Sequence, residues 1–86
     1  MWRHMNKRKL LANIQNNSKN IRYNDLVLLV GAFGFRKIRT NGSHNIYERN
    51  DVPEMVNIQD DNGKAKPYQI KQFFSLIEKY NLKLED

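Results

Sequence analysis

The chain has no cysteine, which excludes a disulfide framework and thiolate chemistry. It has no apolar run near the roughly 18 to 20 residues that a membrane-spanning helix needs. The opening residues carry no apolar h-region, so no signal peptide is expected. P-loop and dinucleotide fingerprints are both missing. With one histidine beyond the first few residues, His44, no metal-ligand spacing exists, and no cofactor or metal is expected. Asp60-Asp61-Asn62-Gly63 reads as a turn rather than a calcium loop, because the rest of that pattern is wanting. There is no internal repeat and no low-complexity segment. A domain this small, without staples, must fold on its apolar core or lean on a partner. A cytoplasmic setting is expected.

Positive charge is present in excess. Fifteen Lys and Arg face nine Asp and Glu across 86 residues, a formal charge of +6. Such a balance favours polyanions such as nucleic acid, or an acidic protein partner. The basic residues cluster at Lys7-Arg8-Lys9, at Arg36, Lys37 and Arg39, and at Lys64 and Lys66. The plain alternative for each cluster is a solvated face.

Apolar spacing divides the chain. Residues 1–4 look like a cloning remnant, 5–20 like an N-terminal helix and linker, and 21–86 like a single domain. Leu10, Leu11 and Ile14 suit a short helix, and "NNSKN" a linker. Leu26, Leu29, Val30 and Phe33 fall at i, i+3, i+4 and i+7, one face of a second helix. Asn24 or Asp25 is expected to cap it, and Gly34 to end it. Gly31 inside it costs about 1 kcal/mol against alanine, which suggests a close packing contact there. "FRKIRT", "HNIYER" and "EMVNIQ" read as strands, with Asn41-Gly42 as a hairpin signal and Pro53 just before the third. Pro67 suits the first turn of a last helix, whose Ile70, Phe73, Phe74, Ile77 and Tyr80 share a face. Leu82 and Leu84 are expected to pin the tail. The fold class is therefore α+β: a three-stranded antiparallel sheet, two helices on one face, and a short extra N-terminal helix. The other face would carry Arg, Lys and Asn side chains.

"GFRKIRTNGSHNIY" resembles the signature of the HicA toxins, small RNases of toxin–antitoxin pairs. Gly34, Phe35, Arg39, Gly42, Ser43 and His44 match it, and "VNIQDDNGKAKPYQIKQFFSLIEKYNL" is similar to one branch of that family. The likeness runs from about residue 22 onward. It implies a fold like that of double-stranded-RNA-binding domains. It also implies metal-independent mRNA cleavage and a HicB-type antitoxin partner that blocks the site. Many members have a proline and a histidine after the third strand, where this chain has Asn57, Ile58 and Gln59.

Metal-free RNA cleavage needs a base for the nucleophile's proton, often that of the 2′-hydroxyl, and cations for the phosphorane. An imidazole, with its ordinary pKa of about 6.5, is mostly neutral near pH 7 and suits the base. His44 is the candidate. Arg39 is the candidate for the phosphate, since a guanidinium contacts it in bidentate fashion. Ser43 can orient His44 or bind phosphate, and Gly42 lets a backbone approach closely. Tyr47 is a candidate for stacking a base, with core packing as the alternative. Lys64 and Lys66 precede the last helix, whose N-terminal amides favour anions, and Lys71 follows within it. Together they would clamp RNA phosphates. Each residue also has an ordinary reading: a strand-edge polar group for His44, a solvated strand residue for Arg39, a turn residue for Ser43, a charged loop for the lysines. Two other functions remain open: RNA binding without cleavage, and a degenerate toxin kept as a docking domain for an acidic protein.

Overall fold

Helix α1 (Lys7–Asn16) begins where the Asn6 side chain accepts a hydrogen bond from the Arg8 N–H at 2.7 Å, meeting one of the helix's orphan donors. A computed structural model describes residues 6–85. The expected cloning remnant at residues 1–4 lies outside the described residues. Five more elements follow: α2 (Tyr23–Ala32), β1 (Arg36–Asn41), β2 (His44–Arg49), β3 (Val52–Gln59) and α3 (Pro67–Lys79). The protein is α+β; the described residues form three helices and one antiparallel sheet in the order β1-β2-β3.

The α2 start differs from expectation. Arg22 is the N-cap residue and gives no side-chain cap; Asn24 and Asp25 lie inside the first turn. The Tyr23 N–H donates instead to the Gly63 carbonyl at 2.9 Å, so the long-range loop contact satisfies a donor that a cap would have met. Asp25 still complements the helix dipole and pairs with Arg22 at 3.6 Å. Pro53 also falls inside a strand rather than before it, because Val52 pairs with Arg49. It sits in the register shift of an edge strand, where a lost donor costs little.

Phe73, 1% exposed, is the centre of the core. Phe33 and Phe35 meet it edge to face, each with centroids 5.7 Å away. Leu10 and Ile14 of α1 join the same core as Leu26, Leu29 and Val30 of α2, Tyr47 of β2, Val56 and Ile58 of β3, and Ile70 of α3. Leu82 and Leu84 pack against its rim. The Gly34-Phe35 pair is thus structural: Phe35 fills the core, and Gly34 ends α2 at φ +88°.

Two glycines give opposite expectations. A Cβ at Gly31 would meet nothing within 4 Å, so no packing contact explains this exposed helical glycine. Gly31→Ala should stabilise the protein by about 0.5–1 kcal/mol. Gly34→Ala forces an L side chain into the left-handed region and against the Glu85 carboxylate. It should cost about 1–2 kcal/mol. Urea unfolding of the two variants beside the parent reads both signs.

Candidate nucleic-acid interface

Sheet register sorts the strand residues by face. Arg39, Ile46 and Asn57 stand in one cross-strand row, and Asn41, His44 and Gln59 in the next on that same face. Thr40, Asn45 and Ile58 form a row on the opposite face. Ile58 there is core, and Asn45 donates to the hydroxyl of Tyr23 on α2. The helices therefore cover the Asn45 face, and His44 lies on the face that no helix covers among the described residues. His44 itself is half-buried, on the central strand.

Its partner is Asn57, with Nδ1 and Oδ1 3.0 Å apart. Ser43 does not orient it. The Ser43 hydroxyl accepts from Gln59 Nε2 at 3.0 Å, so it ties the turn to β3 instead. Gly42 and Ser43 are the two loop residues, closed by the Asn41–His44 pair. Only Gly42 has positive φ, at +65°, which suits a hairpin turn with glycine first rather than the Asn-Gly type with both residues left-handed. Open space surrounds Gly42, so a ligand backbone meets no side chain there.

Every residue of β1 is exposed, Arg36, Lys37 and Arg39 among them. Arg36 reaches Glu48 at 3.6 Å. Arg39 makes no side-chain hydrogen bond or ion pair among the described residues, and it shares the His44 face. Ile46, between Arg39 and Asn57, is buried but outside the helix-side core. Arg49 points the other way and is committed to the Phe33 carbonyl and to Asp51, each at 2.8 Å.

Tyr47 is in the core, so it does not stack a base. Burial pushes its phenol up, and burial with Tyr47 nearby does the same for Tyr23. Neither phenol is a base near neutrality. Lys64 lies in the loop that pairs with Arg22 and reaches the Asn20 side chain. Lys66 is the N-cap residue of α3, and Lys71 is exposed on its second turn. Gln69 of the first turn accepts from the Gln59 N–H at 2.8 Å. That bond brings the start of α3 to the His44 end of the sheet. No hydrogen bond joins the three lysines to the His44 network among the described residues.

Sequence reading missed Asn57 and Gln59 as members of this site. The signal was present: "VNIQ" alternates, and Val56 and Ile58 on the core send Asn57 and Gln59 to the other face. Among the described residues, no three His, Cys, Asp or Glu side chains converge as a metal site, and no helix is long and apolar enough to cross a membrane. No protein family, curated protein or solved structure matches the chain.

Proposed function

We propose that this chain is a small endoribonuclease of the kind its "GFRKIRTNGSHNIY" segment resembles, a HicA-like mRNA interferase. The observation that carries the reading is the uncovered sheet face: one imidazole in a polar row, next to an arginine with no protein partner among the described residues. The segment from α2 to α3 supports a double-stranded-RNA-binding-like fold. His44 takes the proton of a 2′-hydroxyl, and that oxygen attacks the adjacent phosphorus. The bond from phosphorus to the 5′-oxygen breaks, and a proton from water or from the imidazolium completes the leaving group. The products are a 2′,3′-cyclic phosphate and a 5′-hydroxyl. Arg39 steadies the phosphorane. Lys64, Lys66 and Lys71 hold flanking phosphates, and the partner that silences the site is a HicB-type antitoxin in the cytoplasm.

Induced expression tests the reading. Growth arrest relieved by His44→Ala supports it; arrest that persists in that variant counts against it. A second reading, binding without cleavage, is favoured because His44 is the one imidazole among the described residues. Steep salt dependence of RNA affinity with intact RNA would support that one.

Salt also reads the phosphate clamp. Replacing Lys64, Lys66 and Lys71 by alanine should flatten the plot of log affinity against log salt, by roughly 0.7 to 0.9 for each phosphate that is no longer neutralised. Arg39→Ala should leave one phosphate more without its cation. An unchanged slope in the triple variant would place the RNA elsewhere.

A further inference from the structure

We propose that Asn57 is a positioning residue: its side-chain carbonyl holds the His44 imidazole with the proton on Nδ1, leaving Nε2 as the nitrogen that accepts a proton. The catalytic part rests on reading His44 as the base; the hydrogen-bonding part stands without it.

The argument begins with register. β2 and β3 pair His44 with Gln59 and Ile46 with Asn57. Asn57 is therefore the diagonal neighbour of His44 on the same face, within reach of a side chain of this length. The Nδ1–Oδ1 separation is 3.0 Å, an ordinary hydrogen-bond distance. An amide oxygen has lone pairs and no proton, so it can only accept. The ring must then donate from Nδ1. A neutral imidazole carries one N–H, so Nε2 keeps its lone pair.

This matters because an unpartnered histidine in water prefers the opposite form, with the proton on Nε2. The lone pair would then be on Nδ1, the nitrogen nearer the backbone and already beside Asn57. A base in that form faces the sheet instead of a ligand. One accepting oxygen reverses the preference and fixes the ring's rotation.

Gln59, directly opposite His44, does not compete for this role. Its side-chain amide donates to Ser43 Oγ at 3.0 Å and its backbone N–H to Gln69 Oε1 at 2.8 Å. It fastens the turn on one side and α3 on the other. Asn57 is exposed on a strand surface, so substitutions there need not disturb the core.

Nitrogen-15 spectra of the histidine ring, recorded on the whole chain at a pH where the imidazole is neutral, read the tautomer directly. His4 is the other histidine, and a His4→Gln background removes its signals. The parent is expected to show a protonated Nδ1 and an unprotonated Nε2. Asn57→Ala should shift the ring toward the Nε2–H form, and Asn57→Asp, which keeps an accepting oxygen, should hold the parent's form. Cleavage should fall in Asn57→Ala by roughly 10- to 100-fold, by analogy with the loss when the hydrogen-bond partner that orients a metal-bound histidine is removed. Circular dichroism checks that each variant folds. A parent ring with its proton on Nε2, as an Asn57 amide turned end for end would give, overturns the proposal. So does an Asn57→Ala spectrum identical to the parent's. Expected spectra from a parent that cuts no RNA would uphold the hydrogen bond and reject the ribonuclease reading, so the two fail separately.

Discussion

His44→Ala should slow RNA cleavage by roughly 100- to 10,000-fold, the span that a positioned acid or base contributes. RNA affinity should change little, because the phosphate contacts assigned to Arg39 and the lysines remain. The variant should also fold as the parent does. His44 is half-buried, makes a side-chain hydrogen bond to Asn57, and lies on the face away from the core. A loss confined to the rate, with binding and unfolding midpoint held, is the pattern of a group acting in the transition state. Kinetics under single-turnover conditions, with affinity measured separately, makes the distinction. A fall in affinity equal to the fall in rate would instead make His44 a contact residue.

Phe73→Ala should cost about 3–5 kcal/mol of stability. That is a large share of the roughly 5–15 kcal/mol available to a domain. Phe73 is 1% exposed and meets Phe33, Phe35 and Phe74 at centroid distances of 5.7, 5.7 and 6.2 Å. These rings come from the end of α2, the residue before β1, and α3 itself. Removing the central ring leaves a cavity that three elements cannot all move to fill. Phe73→Leu keeps most of the volume and should cost much less. Denaturant unfolding with the slope compared between variants measures both. A cost below about 1 kcal/mol would mean that the aromatic cluster is not the centre of the core.

Much of this fold can be read from residue order. The i, i+3, i+4, i+7 spacing of Leu26, Leu29, Val30 and Phe33 needs no tertiary information, and all four are buried. Gly34 and Pro67 mark element ends by backbone preference alone, and both take those places. The departures at α2 and β3 share a cause: backbone pairing, from far along the chain at α2 and from three residues away at β3, set the boundary in place of single-residue preference. Asn24 and Asp25 do not cap α2, because the Gly63 carbonyl, forty residues away in the chain, meets the donor. Pro53 entered β3 because the Arg49 pairing extended the strand past it. Gly31 differs in kind, with open space where a neighbour was expected.

The site divides in the same way. His44, Arg39 and the Gly42-Ser43 loop are conspicuous as residue types in a short stretch. What the stretch lacks is the adjoining strand. Asn57 and Gln59 reach the site through register, thirteen and fifteen positions further on, and register depends on a turn whose central pair is displaced by one residue from the expected Asn-Gly. Adjacency alone suggests a role for Ser43 toward His44. Consecutive residues at a hairpin corner point apart, and the Ser43 hydroxyl meets Gln59 instead.

The most direct test of the central claim is RNA cleavage by purified protein in excess chelator, beside His44→Ala with a matching circular dichroism spectrum. The account predicts that the parent cuts, leaving 2′,3′-cyclic phosphate ends, and that the variant does not. Equal cutting by both proteins, or by neither, would contradict it.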